Sequence, residues 1–479
     1  MIAVLLVLGL SAPGLPAPIE AAVDQVSWTP AKVSRLIERM PKVELHLHLD
    51  GALTPELIQA LAREQDHPTL RDKSLDEIRR LATIEEPRAS LAAALEVFHV
   101  VLSVLRRPEA VERVAYDLAR RARGQNILYF EARFAPALMT GPSLSAEEAL
   151  RSALRGLRRG ERDFGVQSAV IICLIRPFEL VSRRDNEAML DLAIRYREQG
   201  VVGLDVAGDE AALGLEAYRD LLLAGRRVGL RLTPHAGEVA GGRNLETALE
   251  LGVDRLGHAS QLREKPELRA EVARRGIVVE ISPTSNLRTA AITSYEAHPA
   301  PGWLREGLRL APSSDDPGIF GIDLVHEYRV LAERMGLTPR ELVAVSLQAL
   351  DGVFLPAGEK ADLRRRFEAE LLRLLGELAG GGERSGAVHP HDQRAGHGAV
   401  GGGSWMRDGE PVLESPAACP SSSASVSAPT RSSRRSARGA WERSTAASSN
   451  PWGGNPSIGP GRGGCGFELR CARLVPTRA

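Results

Sequence analysis

The feature that most constrains this chain is an alternation that repeats between residues 43 and 316. Eight short apolar runs recur there: 43–49 (VELHLHL), 128–136 (LYFEARFAP), 168–175 (SAVIICLI), 201–208 (VVGLDVAG), 230–237 (LRLTPHAG), 254–260 (DRLGHAS), 277–282 (IVVEIS) and 308–316 (LRLAPSSDD). Amphipathic stretches separate most of them. Those at 108–124, 186–200 and 215–229 each end at a glycine, a common helix stop. Strand, helix, strand repeated eight times over roughly 250 residues or more predicts an α/β fold, the (β/α)8 TIM barrel. The run from Thr54 to Asn126 is too long for one crossover, so extra helices are expected after the first strand. The most apolar of these is 91–105 (LAAALEVFHVVLSVL).

The flanks differ in composition. Residues 1–26 form an apolar, Pro/Ala-rich leader of the size of a signal-peptide core, with no Lys or Arg ahead of that core. It reads as signal-like or as a mis-assigned start, and a cytoplasmic location is expected, with export through this segment as the alternative. From 379 to 479 the chain turns to Gly, Ser, Pro and Arg. Large apolar residues there are too sparse to offset the entropy of ordering, which predicts a disordered tail. The barrel is thereby expected over 27–378.

Overall composition, 43% hydrophobic and 25% charged, is that of a globular protein. A net charge of zero gives no electrostatic reason to bind nucleic acid, and no apolar run is long enough for a membrane span. Nothing in the chain implies an obligate protein partner. The four cysteines, at 173, 419, 465 and 471, have no CxxC spacing, which argues against a disulfide framework or a cysteine-based zinc site. Cys173, inside an apolar run, reads as a buried inert thiol.

Chemistry-bearing residues gather at strand ends. His46 and His48 are two apart, so in a strand both imidazoles project to one face. His235 closes the fifth run, with Glu238 three residues on, past an Ala-Gly pair that allows a sharp turn. His258 closes the sixth run, and Asp315 and Asp316 the eighth. A barrel brings the C-terminal ends of its strands into one mouth, where active sites of this fold lie. Imidazoles with a carboxylate suit zinc, and a catalytic zinc keeps one position for water. Taken singly, each of these residues fits a plainer role, such as a core histidine or a turn cap. Convergence at four strand ends favours a site.

The segments PKVELHLHLDGAL, YFEARFAP, VVGLDVAGDE, HAGE, LGHAS, SPTSN and SDDP together resemble the adenosine deaminase family of the amidohydrolase superfamily, over roughly residues 27–378. The resemblance implies one zinc per subunit, held by His46, His48, His235 and Asp315. It implies Glu238 as the group that protonates purine N1, and His258 as acceptor of the water proton and stabiliser of the oxyanion. Asp316 would orient the attacking oxygen and contact N7, Gly208 would present its N–H to N3, and Asp50 would bind a ribose hydroxyl, with His48 lining the same pocket. Leu95 and Phe98 would close over the base. The implied reaction is deamination of adenosine and 2′-deoxyadenosine to the 6-oxo purine, in purine salvage. Adenine, a methylated adenine nucleotide and aminodeoxyfutalosine are the alternative substrates, and a catalytically impaired binding protein is the alternative of another class. A binuclear relative would need a carbamylated lysine in mid-barrel, but no lysine occurs between Lys73 and Lys265. The chain departs from the family pattern at Pro234, Pro312 and Ser313. Both prolines fall where a strand would use its N–H.

Overall fold

The computed structural model describes residues 14–177 and 181–380; the segment read as a disordered tail lies almost wholly outside the described residues. Nine strands carry the eight barrel positions: β1 (Lys42–His48), β2 (Ile127–Phe134), β3 (Gln167–Ile175), β4 (Val201–Ala207), β5 (Arg231–Leu232), β6 (His235–Ala236), β7 (Arg255–His258), β8 (Val278–Ile281) and β9 (Arg309–Pro312). All pair in parallel, β1 through β5 in chain order and β6 through β9 likewise. Backbone bonds close the ring at both seams. The Asp254 and Gly257 N–H groups donate to the Leu232 and Pro234 carbonyls at 2.9 and 3.0 Å. Across the other seam, His48 N–H donates to Asp315 O at 2.8 Å and Asp315 N–H to His46 O at 3.0 Å.

The two prolines explain where strands stop. β5 and β6 are halves of the fifth barrel strand, interrupted because Pro234 has no N–H to give. Its neighbours compensate: Thr233 N–H reaches Leu204 O at 3.0 Å, and His235 N–H reaches Asp205 Oδ1 at 3.1 Å. Pro312 ends β9 on a seam where side chains receive the N–H groups. Leu310 N–H goes to Gln348 Oε1 at 2.9 Å and Ser314 N–H to the Glu44 carboxyl at 3.2 Å. Between those two positions a missing donor breaks no bond.

Four helices (Pro55–Glu64, Leu75–Ala82, Leu91–Leu95 and Phe98–Ser103) are inserted after β1, before the crossover helix Pro108–Gly124. The apolar stretch 91–105 is thus two short helices. Residues 17–24, within the segment read as a leader, form a helix whose Ile19 and Val23 are buried against the helices Pro339–Gly352 and Ala357–Ala379.

A chain of ion pairs fills the lower interior. Arg133 on β2 donates to Asp205 Oδ2 at 3.1 Å and to Glu280 Oε2 at 2.9 Å. Arg255 on β7 pairs with the other Glu280 oxygen and with Glu131 Oε2 at 2.6 Å. All five side chains are fully buried. β1 carries a bulge here, three steps from Glu44 to Leu47 against two on β2. The Leu45 carbonyl within it accepts from Arg133 at 2.6 Å and from Arg255 at 3.3 Å.

Removing one partner of a buried pair leaves its mate charged and desolvated, which typically costs about 3–5 kcal/mol. Arg255→Met, which strands Glu131 and one oxygen of Glu280, is expected to lose about that much in urea denaturation. A loss below about 1 kcal/mol would show that the chain of ion pairs does not support the barrel.

Candidate metal centre and active site

Each strand end places its expected side chain at the mouth. Imidazole Nε2 of His235 lies 3.2 Å from that of His46 and 3.4 Å from that of His48. Asp315 Oδ1 lies 3.1 Å from His46 Nε2 and 3.3 Å from His48 Nε2. These four residues can each direct one ligand atom to a common point, all within 4.8 Å of one another, and all four are buried. A tetrahedral zinc with Zn–N near 2.0–2.1 Å has ligand edges of about 3.3 Å, the spacing seen in four of the six separations.

The hydrogen bonds behind the imidazoles decide what this cluster can hold. His46 Nδ1 donates to Glu280 at 2.7 Å, and His235 Nδ1 donates to Asp205 at 2.9 Å. Burial works to raise both acids, but His235 and Arg133 outweigh it at Asp205, and Arg133 and Arg255 outweigh it at Glu280. Both carboxyls are held well below their usual range and accept these protons as carboxylates. In their neutral forms both rings therefore turn a bare Nε2 lone pair inward. Two such lone pairs 3.2 Å apart, beside an Asp315 oxygen with no hydrogen-bond partner, repel unless a cation lies between them. The donor set fits a divalent metal, with carboxylates backing two of its histidines.

Backbone strain marks the same place. His258, Ala259 and Asp315 hold φ values of +58°, +52° and +61°, three of the six non-glycine residues with positive φ among the described residues. Gly208 sits at φ +98°, where any side chain would be strained and its Cβ would come 3.3 Å from that of Arg176. Gly51 is required for another reason. A Cβ there would stand 1.7 Å from Asp316 Oδ1, so the aspartate packs directly on the glycine backbone.

A cleft of about 760 Å³ opens over these groups. It is lined by His48, Asp50, Gly208, Glu238, His258 and Asp316, and roofed by Leu95 and Phe98 of the inserted helices. Burial pushes the Glu238 carboxyl up to about 8 and that of Asp50 up to about 7. Asp316 is raised further, by burial and by the charges of Asp315, Asp50 and Glu238. One oxygen each of Asp50 and Asp316, and Nε2 of His258, have no protein partner.

Several supporting residues carried no role in the sequence reading. Glu210 accepts the Glu238 and Val239 N–H groups at 2.7 and 3.1 Å and that of Gly237 as well, fixing the turn that presents Glu238. Arg176, fully buried, donates to the carbonyls of Val206, Leu213 and His235. Asp205 and Glu280 were visible as lone acids within apolar runs. Cys173 is buried as expected, yet it also lines the cleft and donates to Asp205 Oδ2 at 3.5 Å.

A closed parallel barrel with a histidine-rich metal centre at the mouth is the architecture of the metal-dependent hydrolases. The adenosine deaminase family model matches residues 41–370. Adenosine deaminases of Enterococcus faecalis and Serratia proteamaculans are 32% and 33% identical, covering 70% and 68% of this chain and 98% and 97% of theirs. A zinc-bound amidohydrolase from Burkholderia ambifaria superposes with a TM-score of 0.64 at 27% identity, covering 74% of this chain and 96% of that one. This chain belongs to the adenosine deaminase family and is a hydrolase acting on C–N bonds.

Losing a group that orients a metal ligand typically costs 10–100-fold in affinity. Asp205→Ala is therefore expected to weaken zinc binding by about 10–100-fold in competition against a chromogenic chelator, with unchanged affinity as the contrary result. Gly51→Ala is expected to leave the metal bound while displacing Asp316, and so to lower turnover.

Proposed function

We propose that this protein catalyses the zinc-dependent hydrolytic deamination of adenosine and 2′-deoxyadenosine to inosine and 2′-deoxyinosine plus ammonia. The observation that carries this reading is a buried carboxyl, Glu238, held protonated near neutral pH beside a three-histidine, one-aspartate donor set. His46, His48, His235 and Asp315 would hold one zinc. A zinc so held lowers the pKa of its water from 15.7 towards about 7.

The other roles follow from what each atom can donate. Glu238 gives its proton to purine N1, which breaks the ring's aromatic stabilisation and makes C6 electrophilic. His258 faces the oxygen that adds to C6. Purine N7 is an acceptor, and Asp316, raised by burial and neighbouring charge, is a carboxyl able to donate to it. The Gly208 N–H is free of any side chain that would keep N3 away. Asp50 offers an unpartnered oxygen to a ribose hydroxyl, and the apolar roof of Leu95 and Phe98 covers the base. Passage of the added hydroxyl's proton to the amino group, and loss of ammonia from C6, leave the 6-oxo purine with the Glu238 proton retained on N1.

Related chains of this fold are an N6-methyl-AMP deaminase of Arabidopsis and an adenine deaminase of Arthrobacter aurescens. A 5′-phosphate needs a cation near the ribose end. Among the described residues no Lys or Arg lines this cleft, and its charged lining groups are acids and imidazoles, which favours a nucleoside over a nucleotide.

Incubation with adenosine should give the ultraviolet shift to inosine, abolished by a chelator and restored by zinc. AMP should react at least 100-fold more slowly in kcat/KM. No shift with adenosine, while adenine or AMP reacts, would reassign the substrate. Glu238→Gln should keep zinc and lose most turnover, and near-normal kcat would remove Glu238 from its role. Because the protonated carboxyl is the active form, kcat/KM should fall as pH rises through about 8, or somewhat below it, since a bound dication draws the proton off more easily. Constant activity to pH 9.5 would contradict this.

A further inference from the structure

We infer that Asn286 and His298 fix His258 in the tautomer that carries its proton on Nε2, so that His258 meets the attacking oxygen as a hydrogen-bond donor. The starting point is a backbone N–H, whose direction allows no choice. Ala300 N–H donates to His298 Nδ1 at 3.1 Å. His298 is buried, and desolvation together with the Arg263 charge brings it down to about 3, so the ring is neutral at physiological pH. A neutral imidazole that accepts at Nδ1 carries its hydrogen on Nε2. That Nε2 lies 3.3 Å from the side-chain amide of Asn286 and must face its oxygen. The reverse amide would set two donors against each other.

With Oδ1 turned to His298, Asn286 presents its Nδ2–H to His258 Nδ1 at 3.0 Å. His258 therefore accepts at Nδ1 and bears its hydrogen on Nε2. This nitrogen is buried and without a partner, 4.0 Å from Glu238 Oε2 and 3.9 Å from Asp315 Oδ2. An N–H there has no acceptor in the protein, and the reacting oxygen would supply one.

The contrast with the metal ligands is instructive. His46 and His235 have carboxylates on Nδ1, which take the hydrogen and turn a lone pair inward. His258 has an amide donor on Nδ1, which does the reverse. One ring edge thus yields metal ligands and the other a donor, according to what stands behind it. On this reading His258 donates to the attacking oxygen, where the family resemblance implied an acceptor of the water proton. Asn286 and His298 act through His258 and are positioning residues.

The tautomer stands on the hydrogen bonds alone, whereas its role rests on the deaminase reading. The test is long-range ¹H–¹⁵N correlation on the zinc-loaded full chain labelled with ¹⁵N-histidine, the His258 signals being assigned by His258→Gln. Wild type should show His258 protonated at Nε2 only; an Nδ1–H or doubly protonated ring would overturn the inference. Asn286→Asp, nearly isosteric, replaces the amide donor with an acceptor. It should move the hydrogen to Nδ1 and lower kcat on adenosine by about 10²–10³-fold, the effect of losing one oxyanion donor. KM should stay within about threefold and zinc stoichiometry should be unchanged. Normal kcat with a switched tautomer would overturn the donor role. Wild type with the expected tautomer but no activity on adenosine would sink the substrate reading and leave the tautomer intact.

Discussion

Arg133 lies between two carboxylates that each hold a metal-facing histidine, and the rest of the site depends on that arrangement. One of its nitrogens meets Asp205, which orients His235; the other meets Glu280, which orients His46. The guanidinium works against burial at both acids, together with His235 at Asp205 and Arg255 at Glu280, and an acid that took up a proton would no longer need the Nδ1 hydrogen of its histidine. The tautomers would then be free to change, and the inward lone pairs with them. The charges point the same way. Asp205, Glu280 and Glu131 face Arg133 and Arg255, which leaves one negative charge over, and Asp315 adds a second. A cation at the histidine cluster would offset this surplus.

This chemistry is set on backbone that other residues hold in place. A bulge in β1 lets the Leu45 carbonyl reach both guanidiniums just before the two histidines. At the eighth strand, Asp315 takes a left-handed conformation while its own N–H and C=O pair with His46 and His48, so the seam that closes the barrel also places the carboxylate ligand. Ring closure and the placing of this candidate ligand are in this respect one set of bonds. A conformation costing of order 1 kcal/mol persists at Asp315 because two backbone bonds to β1 fix it from outside.

Much of the fold was legible because its signal is periodic. Each of the eight apolar runs coincides with strand structure whose ends fall within four residues of the expected ones, and the helix 108–124 has the bounds read from sequence. The exception is instructive: the fifth run, read as continuous, is two fragments, since Pro234 marks a break whose compensation by Asp205 no local pattern reveals. At the site, residue type and strand position gathered His46, His48, His235, Glu238, His258, Asp315 and Asp316 at the mouth, and the family resemblance picked His46, His48, His235 and Asp315 out of them as candidate ligands. Their supports were not legible. Glu131 and Arg133 share one apolar run without pairing to each other, Arg255 follows Asp254, and Asp205 and Glu280 stand as single charges in theirs. A single charge reveals burial only once its partner is known, and every partner lies on another strand. Asn286 was in plain view within SPTSN, yet its role depends on an imidazole 12 residues away and a backbone N–H further still.

The proposed substrate makes one further demand that the cleft meets in an unusual way. Purine N1, N3 and N7 are all acceptors, so a site that grips the ring needs three donors. Here only N3 would meet a fixed amide, the Gly208 N–H. For the other two the cleft offers Glu238 and Asp316, acids that ordinarily accept and become donors only because burial and the charge of Asp315 keep them protonated. An asparagine or glutamine would donate more simply but could not release its proton. A carboxyl raised to about 8 can do both, binding the ring as a donor and then completing the transfer to N1 as C6 is attacked. The crowding of Asp50, Glu238, Asp315 and Asp316 in one cleft is then no excess of negative charge. Asp315, a candidate metal ligand, helps by its charge to keep Glu238 and Asp316 neutral.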